Sequence, residues 1–220
     1  MARPDLIIFD CDGVLVDSEP LANSVLAAYL TELGCPVTTA DCTERFVGLS
    51  LESVQNRIET ESTMALPADF IDEIKRRDRI AFDGQLLPIE GILNAINALP
   101  QIKCVASSGS PDKINHSLTL TGLIESFHPH IFSASQVKTG KPAPDLFLYA
   151  AREMGAQPEN TIVIEDSLAG VEAGIRARMT VFGFCGGGHI QSGHAEKLLG
   201  IGAALVFEHM VDLPGLISDL

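Results

Sequence analysis

The chain has 220 residues, of which 46% are hydrophobic and 20% are charged, as in ordinary folded proteins with one main core. Its 15 Lys and Arg residues stand against 29 Asp and Glu residues, which gives a formal net charge of −14. This charge disfavours nucleic acid and anionic membrane surfaces as partners, so a small anionic substrate would need locally organised positive charge.

The apolar runs of the sequence are short. Residues 6–9 and 161–164 are typical, and both runs are far below the roughly 20 residues of a membrane-spanning helix. The first five residues lead directly into a strand-like segment and leave no room for a signal peptide, so we predict a cytoplasmic protein. The five cysteines are scattered and odd in number, which predicts reduced thiols. No obligate protein partner is indicated.

Residues 6–9 predict the first strand, and the sequence then changes character. Between residues 18 and 86, strand patterns vanish and amphipathic helices take over. In the first helix, apolar residues recur at every fourth position, namely Leu21, Val25, Tyr29 and Leu33. Ser18 is placed to cap this helix and Gly34 to end it. We predict an all-helical cap domain at residues 18–86, although the same helices would also suit one face of a sheet.

After the helical segment, short apolar runs alternate with helices of about ten residues, a pattern of βαβ units. The candidate strands are residues 102–106, 131–133, 161–165, 180–184 and 204–207. The candidate helices are residues 91–99, 111–122, 144–154, 168–177 and 194–199. This alternation predicts an α/β fold with a Rossmann-like parallel sheet, covered by helices on both faces. The core domain would comprise residues 1–17 and 87–220.

Two carboxylates stand at the end of the first predicted strand. Asp10 and Asp12 are two residues apart, so their side chains point the same way if the chain is still extended, and Gly13 permits a sharp turn after them. Open α/β sheets bind ligands at the carboxyl ends of their strands. An isolated Asp-x-Asp-Gly is often only a turn, so this motif gains its meaning from its companions.

Three further elements follow later strands. Ser107 and Ser108 stand at a strand-to-helix junction, where hydroxyl and backbone N–H groups make a natural phosphate cradle. Lys141 lies between Gly140 and two prolines in a rigid loop. Glu165 and Asp166 again place carboxylates at the end of an apolar strand, and two such strand ends suggest a site for a hard cation.

In this chain order, the four elements resemble the haloacid dehalogenase superfamily, specifically its members with a helical cap inserted after the first strand. The branch that contains β-phosphoglucomutase and bacterial sugar-phosphate phosphatases is the most similar. The resemblance spans nearly the whole chain, and the four-part set is highly specific. It implies that Asp10 is a nucleophile that forms an aspartyl-phosphate and that Asp12 is the general acid and base. It also implies that Ser107 binds the transferring phosphoryl group and that Lys141 neutralises charge there.

The resemblance also implies a Mg²⁺ cofactor, with Asp10, Asp12, Glu165 and Asp166 as its ligands. Charge supports this assignment, because four ionised carboxylates and one lysine leave the bare site near about −3, which would repel a phosphate dianion. Mg²⁺ would bring the site to about −1, and a protonated Asp12 would bring it to neutral. Crowded carboxylates push at least one pKa upward, which supplies an acid for the departing alkoxide.

The sequence departs from the mutase pattern, in which a histidine follows the first motif and a cap arginine holds a second phosphate. Ala22 and Leu51 stand at the matching positions, which favours hydrolysis over phosphate shuffling. The stretch around Gly48 is similar to that of hexose-phosphate and 6-phosphogluconate phosphatases, and it predicts a substrate-reading cap loop. A phosphomutase and a non-catalytic sugar-phosphate-binding regulator remain alternatives. His189 and His194 flank a glycine-rich loop that could approach the site, although a polar loop needs no functional reason.

Overall fold

The computed structural model describes residues 4–46, 51–62 and 64–220. The chain folds into two compact units. One unit comprises Met1–Asp17 and Leu87–Leu220, and the other comprises Ser18–Leu86. None of the helices in the described ranges combines the length and the apolar character needed to cross a membrane.

The larger unit is built on a six-stranded parallel sheet. Its strands are β1 (Leu6–Phe9), β2 (Ile102–Ser107), β3 (Ile131–Ser133), β4 (Thr161–Glu165), β5 (Thr180–Phe184) and β6 (Leu205–Phe207). The strand order is β3-β2-β1-β4-β5-β6, and every neighbouring pair is parallel. The predicted α/β fold with a Rossmann-like parallel sheet is confirmed.

The smaller unit is helical throughout its described elements. Its helices are α1 (Glu19–Glu32), α2 (Thr39–Phe46), α3 (Leu51–Ser62) and α4 (Phe70–Phe82). Its core includes Leu26 and Leu30 of α1, while Tyr29 stacks on Phe70 of α4 at 5.5 Å between ring centroids. Ser18 is the N-cap residue of α1, but its side chain makes no capping hydrogen bond to the helix.

An ion-pair group ties α4 to α1 within this smaller unit. Glu73 accepts hydrogen bonds from Arg76 and from Arg77, and Arg77 also reaches Glu32 at 2.8 Å. The Arg77 guanidinium lies over the Tyr29 ring at 4.2 Å from its centroid. These hydrogen bonds from Arg76 and Arg77 lower the pKa of Glu73 from 4.5 to about 2.

Helices cover both faces of the sheet. They are α5 (Ile92–Ala98), α6 (Pro111–Leu120), α7 (Ile124–Phe127), α8 (Asp145–Glu153), α9 (Leu168–Arg176), α10 (His194–Ile201) and α11 (Leu213–Ser218). Alternate strand residues point to opposite faces, so Leu6 and Ile8 pack with residues of α8 and α9. Phe9 points the other way and meets Phe127 of α7 edge-to-face at 5.8 Å. All four residues of β1 are buried, as expected for a central strand covered on both sides.

The five cysteines, all of them within the described residues, are free thiols. Cys11, Cys42 and Cys104 are buried, while Cys35 and Cys185 are half-buried. The prediction of reduced thiols therefore agrees with the structure.

Candidate active site

The candidate site lies at the carboxyl end of β1. This strand stands between β2 and β4, and the chain extends outward from it in both directions along the sheet. Open α/β sheets bind ligands at such a switch point because the loops on either side diverge and leave a crevice. Asp10 follows β1 directly, and its backbone N–H donates to the carbonyl of Ile164 at 3.0 Å, which fixes it at this position.

Three carboxylates meet there. Asp10, Glu165 and Asp166 are all buried, and one oxygen from each lies within 4.8 Å of the others. The strand register explains the meeting, since Phe9 pairs with Ile164 and the next residues along both strands are acidic. The structure therefore brings together the carboxylates that follow two neighbouring strands.

Lys141 is the cation at the centre of this cluster. Its Nζ donates to Asp10 Oδ1 at 2.8 Å and to Glu165 Oε1 at 2.6 Å, and its side chain is only 3% exposed. It also lies 4.8 Å from the centre of the Phe147 ring. Burial opposes the charged form of Lys141, but the carboxylates of Asp10 and Glu165 outweigh burial and raise its pKa above the usual range. The two acids therefore favour the charged ammonium form of Lys141.

The three carboxylates of the cluster carry more negative charge than Lys141 can balance. Burial raises the pKa of Asp10 well above its usual value, and although Lys141 opposes this, Glu165 and Asp166 add to it. Burial likewise raises the pKa of Asp166, against a hydrogen bond from His189. Desolvation and like charges both disfavour carboxylate ions, so a further cation at this place would be stabilised.

Glu165 and Asp166 are also held by hydrogen-bonding partners, one from the loop after β4 and one from the loop after β5. Ser167 donates to Glu165 Oε2 through its backbone N–H and its hydroxyl group, both at 2.9 Å. His189 Nε2 lies 2.9 Å from Asp166 Oδ2, and both side chains are buried. The carboxylates therefore have fixed orientations.

Asp12 is placed differently from the other predicted acids. Its Oδ2 accepts a hydrogen bond from Lys113 Nζ at 2.9 Å, and its carboxylate is outside the cluster of three found among the described residues. Its assignment as a metal ligand stays a prediction. Lys113 was not identified as a site residue from the sequence. Its position could have indicated this role, because it lies three residues after Ser110, which caps α6. A residue on the first turn of a helix that follows β2 can reach the end of the neighbouring β1.

The predicted phosphate cradle lies one strand away from Asp10, at the end of β2. Ser107 is buried, and its hydroxyl oxygen accepts a hydrogen bond from the backbone N–H of Gly109 at 3.1 Å. Ser108 is exposed, and Ser110 accepts from the backbone N–H of Lys113 at the start of α6. Hydroxyl groups and backbone donors thus face the same edge of the sheet as the acids.

Gly48, the predicted cap residue, lies outside the described residues. His194 Nε2 donates a hydrogen bond to the backbone oxygen of Asp166 at 2.6 Å, so both loop histidines contact this one residue. The sequence pattern of the glycine-rich loop did not reveal that contact.

The residues present fit a divalent metal ion. Carboxylate oxygens are the donors that hard cations such as Mg²⁺ prefer, and three of them converge in a buried place where their negative charge is only partly balanced. The described structure can therefore hold a metal ion at Asp10, Glu165 and Asp166.

Comparison with known proteins agrees with this geometry. The sequence model of the haloacid dehalogenase-like hydrolase family matches residues 7–184. A 6-phosphogluconate phosphatase of Escherichia coli K12 is 31% identical over 217 residues, which cover 98% of this chain and 96% of that protein.

Two solved structures extend the likeness to the fold. A haloacid dehalogenase-like protein of Agrobacterium tumefaciens is 37% identical with a TM-score of 0.89, and the match covers 98% of both chains. A haloacid dehalogenase family hydrolase of Deinococcus radiodurans, solved with bound phosphate and sodium, is 32% identical with a TM-score of 0.83, and the match covers 100% of this chain and 97% of that one. The chain belongs to the haloacid dehalogenase-like hydrolase family, as one of its phosphatases.

Proposed function

We propose that the protein is a Mg²⁺-dependent phosphomonoester hydrolase that acts on a small sugar phosphate or sugar-acid phosphate through an aspartyl-phosphate on Asp10. The observation that carries this proposal is the buried group of Asp10, Glu165 and Asp166 beside Lys141, at the switch point of the sheet. Phosphoryl transfer depends mainly on the positioning of the reacting groups and on their charge. In this site, charged groups are held in fixed positions by hydrogen bonds.

The cluster of three acids would hold the metal ion, with Asp12 as a further candidate ligand. When bound, Mg²⁺ supplies positive charge that lets an anionic nucleophile approach an anionic phosphate. Lys141 contributes a second positive charge, and Ser167 keeps Glu165 oriented toward the cluster.

In the first half-reaction, a carboxylate oxygen of Asp10 attacks the phosphorus atom, and the bond between phosphorus and the leaving oxygen breaks. Lys141 holds Oδ1 of Asp10, so Oδ2 is the attacking atom. Asp12 donates its proton to the departing alkoxide, which leaves as an alcohol.

In the second half-reaction, Asp12 takes a proton from water, and the water oxygen attacks the phosphorus atom of the aspartyl-phosphate. The bond from phosphorus to Asp10 breaks, inorganic phosphate leaves, and Asp12 is again protonated. Lys113, at 2.9 Å from Asp12, holds the carboxylate in place between these two steps. Ser107, Ser108 and Lys141 would bind the phosphoryl oxygens through both of them.

Two observations support hydrolysis of a sugar-like phosphate. Ala22 in α1 and Leu51 at the start of α3 carry no group that could hold a second phosphate, unlike the mutase pattern. The Escherichia coli relative is named for hydrolysis of a sugar-acid phosphate. A role of the helical unit, and of Gly48 within it, in choosing the substrate is part of this proposal.

The experiment is release of inorganic phosphate from a panel of phosphorylated metabolites, in Mg²⁺ and in excess EDTA, for wild type and Asp10→Asn. We expect turnover of sugar phosphates in Mg²⁺ alone, and a phosphorylated protein in acid-quenched wild type but not in Asp10→Asn, because an amide is not a competent nucleophile. Full turnover in EDTA would contradict the metal requirement. Turnover of Asp10→Asn above about 1% of wild type would contradict the role of Asp10. Absence of turnover in every arm would favour the regulator.

A further inference from the structure

The loop after β5 brings a histidine to the candidate metal site. His189 Nε2 lies 2.9 Å from Asp166 Oδ2, with the side chains 3% and 5% exposed. This contact to the cluster comes from outside the four sequence elements. It is buried and specific, so it needs a structural or a functional explanation.

The loop after β5 is held in place by its contacts with residues that follow β1. The backbone N–H of Gly188 donates to Asp17 Oδ1 at 2.9 Å. A Cβ atom at Gly13, which has a φ of +79°, would overlap the Asp166 carboxylate and come within 2.9 Å of the His189 ring. The histidine, Asp166 and the turn after Asp12 are therefore packed together with no spare room.

Two histidines that follow β5 contact Asp166. His194 Nε2 lies 2.6 Å from its backbone oxygen, while His189 engages its side chain. Since His189 occupies Oδ2, Oδ1 is the oxygen left to face a cation. The imidazole can donate this hydrogen bond from an N–H at Nε2.

We propose that His189 is a positioning residue that restricts Asp166 to monodentate ligation and thereby favours Mg²⁺ over Ca²⁺. The inference rests on the Mg²⁺ site of the proposed function. Mg²⁺ requires compact octahedral coordination, whereas Ca²⁺ accepts bidentate carboxylates and more ligands. A carboxylate with one oxygen held by a hydrogen bond suits the first ion better than the second.

The alternative is that His189 only fills the place of the ion and moves away when it binds. The two explanations predict opposite changes in metal affinity when His189 is removed. Removal of a positioning donor weakens metal binding, and removal of a competitor strengthens it. Outer partners of metal ligands of this kind typically change affinity by about 10–100-fold.

The test is calorimetric titration of the full-length protein with Mg²⁺ and, separately, with Ca²⁺. The variants are His189→Ala, His189→Gln, whose amide can still donate, and His130→Ala as a control at an exposed histidine beside the amino end of β3. We expect the Mg²⁺ Kd of His189→Ala to rise about 10–100-fold with a smaller rise for Ca²⁺. We expect His189→Gln to recover part of the loss and His130→Ala to match wild type.

An unchanged or lower Mg²⁺ Kd in His189→Ala, or an equal loss for both ions, would overturn this inference while leaving the proposed metal site intact. Wild type that binds neither ion would overturn the proposed metal site, and this inference with it. If His189→Ala does not fold, as judged by circular dichroism, the preference for Mg²⁺ over Ca²⁺ in His189→Gln decides. A preference below that of wild type supports the positioning role, and a preference equal to or above that of wild type overturns it.

Discussion

Replacing Lys141 by Met should strongly destabilise the metal-free protein. The lysine Nζ contacts Asp10 at 2.8 Å and Glu165 at 2.6 Å, and the side chain is 3% exposed. Methionine preserves most of the apolar stem, including its packing beside Phe147, so the main loss is the positive charge. Two buried acids would then face each other and Asp166 without an ammonium group.

The size of the effect follows from burial. Removing one partner of a buried ion pair costs about 3–5 kcal/mol, because the remaining charge stays desolvated. The Lys113–Asp12 pair provides the matched comparison, since its lysine is 37% exposed and water screens the interaction. An exposed pair contributes about 0–1 kcal/mol, so Lys113→Met should be nearly neutral for stability.

Urea unfolding of wild type, Lys141→Met and Lys113→Met, each in EDTA and in millimolar Mg²⁺, measures both effects. We expect Lys141→Met to lose about 3–5 kcal/mol in EDTA and to recover more than wild type gains when Mg²⁺ is added, because a bound cation replaces part of the missing charge. A loss below about 1 kcal/mol in EDTA, or equal losses in the two lysine variants, would refute the reasoning from burial.

Two further changes test other parts of the molecule. Asp12→Asn should slow both formation and hydrolysis of the aspartyl-phosphate by about 10²–10⁴-fold, because the general acid and base is lost. Rapid-quench kinetics would measure both steps. Unchanged rates would mean that another group is the acid and base. Glu73→Gln should lower the urea midpoint at pH 7, because the folded-state pKa of Glu73 is depressed from 4.5 to about 2. This contribution is present above about 4.5 and is lost as the pH falls through about 2, so the midpoints should converge in acid, while Glu44→Gln serves as an exposed control. A difference at pH 2 as large as that at pH 7 would contradict the ion-pair explanation.

The parallel sheet could be predicted because its strands are short apolar runs separated by helices. The strand at residues 131–133 was predicted with the bounds that the structure has, and the last strand begins one residue later than expected. The short helices α7 and α11 were not predicted, since four and six residues are too few for a clear helical period. In α1, the fourfold spacing found part of the buried side, since Tyr29 is in the core and Val25 and Leu33 pack against it. It missed Leu26 and Leu30, which are also in the core.

The candidate site was partly predictable for a similar reason. Carboxyl ends of parallel strands share one edge, so Asp10 and Glu165 could be placed together from strand positions alone. Which base meets which acid could not be predicted, because Lys141, Lys113 and His189 lie in loops or on a first helical turn whose paths depend on tertiary contacts. The pairing of Lys113 with Asp12 spans 101 residues of sequence and has no local pattern.

The central position of β1 in the sheet has a consequence for biosynthesis. This strand is apolar at all four positions, yet its hydrogen-bonded neighbours are β2 and β4, which begin at Ile102 and Thr161. During translation, the four helices of the smaller unit emerge before either neighbour does, so both edges of β1 stay unpaired until β2 has been synthesised. Lys141 emerges 131 residues after Asp10, so the nascent chain carries its acid long before the matching ammonium group. Until those distant segments are synthesised, this hydrophobic strand has no partner in the sheet, and its pairing then requires the closure of long loops, which slows folding.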